Sequence, residues 1–177
     1  SGTVLADNPS LNVRYSELGY AQSQIREDNL RQPHRIIIDG RNQLHADLKL
    51  FSLPGDILVV NLKENSALPA HVKQWQAPSL EGKSEGKIDL NAVMNYLGEK
   101  HINNLWVEAG GRLLGALMKD KLVDELIYYI APKLMGNPAM GCLETAAWQT
   151  MDEVYQLDWI DQRVVGLSLI HISEPTR

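Results

Sequence analysis

The apolar positions of the chain fall into short runs and one clear helical stripe. Arg35–Gly40 holds the β-branched run Ile36, Ile37, Ile38, and Asp56–Val60 repeats the pattern behind Pro54-Gly55. Continuous runs of this kind mark strands buried on both faces. His71–Trp75 is a weaker third candidate, and Tyr155–Trp159 predicts a late strand. Asp124–Pro132 predicts another, ending before the turn formers Met135–Pro138. Between them Leu90, Val93, Met94 and Leu97 recur at helical spacing, with Asp89 placed as the cap. Tyr15–Pro33 is polar and predicts a connecting loop with a helical turn; Glu81–Lys87 predicts a surface loop. Strands alternating with helices, then strands in succession, predict an α/β layered domain with a mixed sheet.

One stretch couples both periods. Leu105–Val107 follows the turn-like Asn103-Asn104 and predicts a buried strand. It breaks at Gly110-Gly111, after which Leu113, Leu114, Leu117 and Met118 recur as on a helix. A strand running through glycines into a helix leaves backbone N–H groups and the positive dipole end facing one point, which suits a phosphate. Glu108 then stands at the carboxyl end of the strand, where open α/β sheets bind ligands. A plain strand-to-helix turn accounts for the same glycines, since neither G-x-G-x-x-G nor a P-loop is present.

Length and charge narrow the classes. At 177 residues the chain fits one domain, and a formal charge of −5 without a basic cluster argues against a nucleic-acid surface. No apolar stretch approaches about 18 residues, and no leader-like segment opens the chain, so neither a membrane span nor a signal peptide is expected. Cys142 is the only cysteine, which excludes an intrachain disulfide and fits a reducing, cytoplasmic setting. The five histidines never pair at helical ligand spacing, and no metal is assigned.

The two ends carry further signals. Asp7-Asn8-Pro9-Ser10 is dense in turn formers and brings a carboxylate close to Leu11 and Arg14. The forked guanidinium of Arg14 suits a phosphate, although a solvated surface arginine is the commoner case. At the other end, Leu167–Ile172 alternates like a strand, but Leu167–Arg177 as a whole resembles a translated transposon-end adapter from sequencing libraries. Residues 167–177 are therefore expected to be a non-native tail that packs poorly or only through its alternation, leaving 1–166 as the domain.

Four segments in order, Thr3–Arg14, Arg35–Asp39, Trp106–Gly110 and Asp124–Gly136, resemble the reductase domain of the bifunctional riboflavin-biosynthesis deaminase/reductases, bacterial type. The resemblance covers residues 1–166. It implies a three-layer, dihydrofolate-reductase-like α/β fold with a central mixed, mostly parallel sheet. It also implies NADPH-dependent reduction of 5-amino-6-(5-phosphoribosylamino)uracil to its ribityl counterpart. By the same resemblance Thr3, Asp7 and the turn and helix Gly110, Gly111, Arg112, Leu113, Leu114, Gly115 and Ala116 meet the cofactor. Leu11, Arg14 and Glu108 meet the substrate, and Asp7 is the candidate proton donor.

The departures from the family pattern are specific. Gly40 stands where serine is frequent, leaving only backbone for the cofactor. Gly111-Arg112 replaces a frequent Pro-Thr, adding a charge beside the turn. The chain is expected to lack the family's opening strand and helix, and the zinc deaminase domain upstream; a homo-oligomer is expected of the full-length enzyme. A pterin-type reductase of the same fold and an inactive fragment are the alternative readings.

Overall fold

A computed structural model describes residues 1–81, 86–136 and 139–176, in two units, Ser1–Asn104 and Leu105–Arg177. The middle of the predicted Glu81–Lys87 loop, half of the Met135–Pro138 turn, and Arg177 lie outside the described residues.

The first unit is built on a parallel sheet. Strands β1 (Arg35–Ile38), β2 (Ile57–Asn61) and β3 (Lys73–Gln76) lie in the order β1-β2-β3, with Arg35 beside Ile57 and Leu58 beside Lys73. The connection from β1 to β2 carries α2 (Lys49–Ser52), whose Leu50 and Phe51 are buried. Ile37, Leu44, Leu48, Leu50, Phe51, Ile57, Val59, Leu68 and Val72 form the core. Each large side chain removed from such a cluster costs roughly 2–5 kcal/mol. Arg35 is buried and donates to the carbonyls of Leu50, Leu53, Pro54 and Gly55 at 2.8–3.1 Å. Helix α3 (Leu90–Glu99) buries Leu90, Val93 and Leu97, and the Asp89 carboxylate accepts from the N–H of Asn91 and Ala92, the predicted cap. The polar Tyr15–Pro33 stretch contains three short 3-10 turns.

Ahead of that stretch, α1 (Gly2–Asp7) ends at Asn8, which adopts φ +43° and donates its N–H to the Val4 carbonyl. Val4 and Leu5 pack on the core cluster. No helix was expected here, because two adjacent apolar residues are too few to display a period.

The second unit holds an antiparallel sheet in the order β4-β6-β5, from β4 (Leu126–Ile130), β5 (Leu157–Val165) and β6 (Ser168–Pro175), and helix α4 (Gly111–Lys119). The described sheets are thus one parallel and one antiparallel, and the expected single, mostly parallel sheet is not what the described strands form.

One expectation is corrected here. Leu105–Val107 forms no strand: residues 102–110 have no ladder among the described residues, and Trp106 is 63% exposed. An apolar run signals burial, but a strand also needs a partner for its N–H and C=O groups, and that partner is set by distant chain. The tail, expected to pack poorly or only through its alternation, is paired from Ser168 to Pro175. β6 is the middle strand, pairing Ile127 with Ile172 and Arg163 with Ile170, and Ser173 is fully buried. Both edges of β6 are paired, and Ser168–Ile172 are all half-buried.

Among the described residues no helix is long and apolar enough to cross a membrane, and no group of three His, Cys, Asp or Glu side chains could hold a metal ion.

Candidate functional site

In the first unit, α1 places Thr3 and Asp7 four residues apart, on one helix face, and both are exposed. The buried side of the same short helix is the Val4-Leu5 pair. Beyond the turn, Leu11 is half-buried and holds φ +48°, a left-handed conformation unusual for a branched side chain. Arg14 is exposed and its Nη1 lies 2.7 Å from Glu17 Oε1, so its guanidinium is occupied by a carboxylate three residues on. Between them Val13 is pinned by Gln32, which donates to the Val13 carbonyl and accepts from its N–H, each at 3.0 Å. The buried Asn12 Oδ1 has no protein partner among the described residues.

Gly40 follows β1 at the carboxyl end of the parallel sheet. Its neighbour Asp39 is fully buried and accepts from the N–H of Gln43 and Leu44 at 3.1 and 2.9 Å, which fixes the turn out of the strand. A Cβ on Gly40 would make ordinary contact with Ile88, so the backbone does not demand glycine there.

Sequence reasoning missed a polar cluster at the ends of β2 and β3. Gln74 accepts from Asn61 Nδ2 at 2.8 Å and from the Asn65 N–H at 2.9 Å, while donating to the Asn65 carbonyl at 3.1 Å. Gln74 and Asn65 line an open depression with Glu64, Ser66, Leu68 and Gln76. The cluster's amides, Asn61, Asn65 and Gln74, spread over a separation of thirteen positions, a spacing with no motif to find.

In the second unit, Glu108 is exposed within the unpaired 102–110 segment and has no partner among the described residues. Gly110 is the N-cap of α4 and offers no side chain; its carbonyl accepts from the N–H of Leu113 and Leu114 at 3.1 and 3.2 Å. The N–H groups of Gly111 and Arg112 are left without a partner among the described residues, as expected at a helix start. Leu113, Leu114 and Ala116 are half-buried, while Gly111 and Gly115 are buried.

The two buried glycines have a partner within the protein. A Cβ on Gly111 would lie 2.9 Å from the Gly141 carbonyl oxygen and 3.2 Å from the Glu144 nitrogen; one on Gly115 would overlap the Glu144 carbonyl. The Glu144 N–H donates to the Gly111 carbonyl at 3.0 Å, and its carboxylate Oε2 accepts from Arg112 Nε at 3.1 Å. Segment 141–144 therefore lies against the glycine face of α4 like a strap. The strap was not foreseen, because close backbone approach leaves no period in the sequence. What is exposed at the helix start is Arg112, whose N–H and terminal nitrogens have no partner among the described residues. These are donors of the kind a phosphate-bearing cofactor requires.

The chain matches the family model described as the RibD C-terminal domain over residues 1–156. It is 40% identical over 168 residues to the riboflavin biosynthesis protein RibD of Escherichia coli (strain K12), covering 94% of this chain and 45% of that protein. It is 38% identical over 141 residues to the 5-amino-6-(5-phosphoribosylamino)uracil reductase of Buchnera aphidicola subsp. Acyrthosiphon pisum (strain APS), covering 78% of this chain and 66% of that protein. Among solved structures, Acinetobacter baumannii RibD, form 2, superposes with a TM-score of 0.80 at 24% identity, covering 99% of this chain and 45% of that one, and so supports the fold. The chain spans about half the length of the E. coli relative, and by family match and identity it belongs to the RibD C-terminal domain family of riboflavin-biosynthesis reductase domains.

Proposed function

We propose that this chain supplies the reductase function of its family, the NADPH-dependent reduction of 5-amino-6-(5-phosphoribosylamino)uracil to the ribitylamino product. The observation that carries this reading is the 38% identity to the Buchnera protein bearing that reductase's name. The start of α4 agrees with it, since the exposed Arg112 has an N–H and terminal nitrogens without a partner among the described residues, donors that suit the phosphates of a nicotinamide cofactor.

When bound, the cofactor supplies the hydride, and the protein's task is binding, orientation and charge. Gly110–Ala116 would hold cofactor phosphate, with Thr3, Asp7 and the Gly40 backbone as further cofactor contacts. Leu11, Arg14 and Glu108 would hold the substrate: Arg14 by exchanging Glu17 for the substrate phosphate, Glu108 by accepting from sugar hydroxyls. Reduction puts a hydride on ribose C1′, opens the C1′–O4′ bond and requires a proton at O4′. Asp7, exposed to solvent that can supply the proton, is assigned that transfer in its protonated, carboxylic acid form.

Steady-state kinetics test the reading, with NADPH and the ribosylaminouracil phosphate varied in turn. Arg14→Ala should raise the substrate KM by about ten- to a hundredfold, the value of a charge-assisted hydrogen bond, with NADPH affinity unchanged. Turnover with a dihydropterin in place of the uracil substrate, or an unchanged substrate KM in Arg14→Ala, would refute it.

A further inference from the structure

Arg112 is 79% exposed and its Nε is engaged by Glu144, yet neither terminal nitrogen has a partner among the described residues. A guanidinium gripped at Nε presents its Nη1 and Nη2 edge outward as a fork, which is the geometry that takes two phosphate oxygens. Glu144 holds two further points on the same helix turn. Its N–H closes on the Gly111 carbonyl, and its own carbonyl rests where a side chain on Gly115 would go. One residue, 32 positions along the chain, thus fixes both the backbone at the start of α4 and the side chain that follows it.

From this we propose that Glu144 is a positioning residue for phosphate: it aims the Arg112 fork at a phosphate group of the nicotinamide cofactor docked on the start of α4. The inference rests on the cofactor reading above and adds to it the residue that sets the arginine's direction. Glu144 itself is not a ligand, because a carboxylate repels the phosphate that its partner attracts. Its contribution comes from holding a flexible side chain in one orientation before the ligand arrives, which lowers the ordering cost on binding.

The phosphate has two possible sources, the pyrophosphate shared by NADPH and NADH and the 2′-phosphate carried by NADPH alone. Titration of the full chain with each nucleotide, read by nucleotide fluorescence, separates them. Arg112→Met should raise the NADPH Kd by about tenfold or more, as the loss of a charge-assisted bond. Glu144→Gln leaves the backbone contacts in place and should raise it about two- to fivefold, the scale of an exposed ion pair. The double variant should match Arg112→Met alone, because Glu144 acts only through that arginine. A purely structural role for Glu144 predicts additive losses instead. An equal loss with NADH assigns the fork to the pyrophosphate, and a loss confined to NADPH assigns it to the 2′-phosphate.

Unchanged or tighter NADPH binding in Glu144→Gln, or additivity in the double variant, overturns the inference while the cofactor reading stands. Failure of the unaltered chain to bind either nucleotide overturns the cofactor reading and this inference with it. Both substitutions are at exposed side chains, and far-UV circular dichroism confirms that each variant is folded.

Discussion

Replacing Gly115 with alanine sets two well-characterised effects against each other. In the interior of a helix, alanine is favoured over glycine by about 1 kcal/mol, so propensity alone predicts stabilisation. The strap predicts the opposite. A Cβ at position 115 would overlap the Glu144 carbonyl oxygen and sit 2.9 Å from its carbon, against ordinary contact beginning near 3.4 Å. Both atoms are backbone, so relief requires the strap to lift rather than a side chain to rotate. Overpacking of this kind costs roughly 1–3 kcal/mol, and lifting also strains the Glu144–Gly111 hydrogen bond, worth about 1 kcal/mol. The clash should win, leaving a net loss of about 1–3 kcal/mol. Gly98 is the internal control, since it lies in α3 and a Cβ there would meet nothing within 4 Å. Gly98→Ala should therefore gain about 0.5–1 kcal/mol. Urea unfolding followed by far-UV circular dichroism measures both. If Gly115→Ala is as stabilising as Gly98→Ala, the strap does not lie on the glycine face of α4 and the reasoning fails.

Two further outcomes follow from polar groups withdrawn wholly or partly from solvent. Arg35→Met keeps the aliphatic stem but leaves four carbonyls without their donor, and should cost about 2–3 kcal/mol by the same unfolding measurement; a loss below about 0.5 kcal/mol would contradict the clasp. Burial, followed by the charge and hydrogen bond of Cys142, raises the pKa of Tyr128 above the ordinary tyrosine value. A raised folded-state pKa gives stability that is full below the unfolded value near 10 and is lost as pH climbs through the folded one. Stability should thus fall above about pH 10, and Tyr128→Phe should flatten that fall; an identical slope in both proteins would refute the assignment.

The elements that were legible in the sequence are those whose cause is local or whose burial is two-sided. α3 declared itself through Asp89 and the Leu90, Val93, Leu97 stripe, and β1 and β2 through β-branched runs buried in a parallel sheet. Leu105–Val107 had the same apolar signature and no strand formed, because pairing depends on chain remote from it. β6 pairs on both edges although its wording is adapter-like, because the backbone ladder is indifferent to a segment's origin. Resequencing across that end of the source gene addresses the origin itself. Of the candidate site, the glycine turn and helix at Gly110–Lys119 were legible, while the Gly111 and Gly115 contacts with Glu144 were not. Glycine signals that something comes close without saying what, and here part of the answer is the protein's own backbone.

The strap also bears on the order in which the second unit assembles. Joining Glu144 to Gly111 closes a loop of some thirty residues that contains all of α4 and β4. Closing a flexible loop of that size costs about 3 kcal/mol of chain entropy, a debt larger than one hydrogen bond and one exposed ion pair can cover alone. The strap therefore settles only once α4 and β4 have already shortened the path between its ends. By the same account it is the first part to let go. Amide exchange at Glu144, whose N–H bonds to Gly111, should be fast against that of the β4 and β6 ladder amides, marking a local opening that leaves the sheet intact.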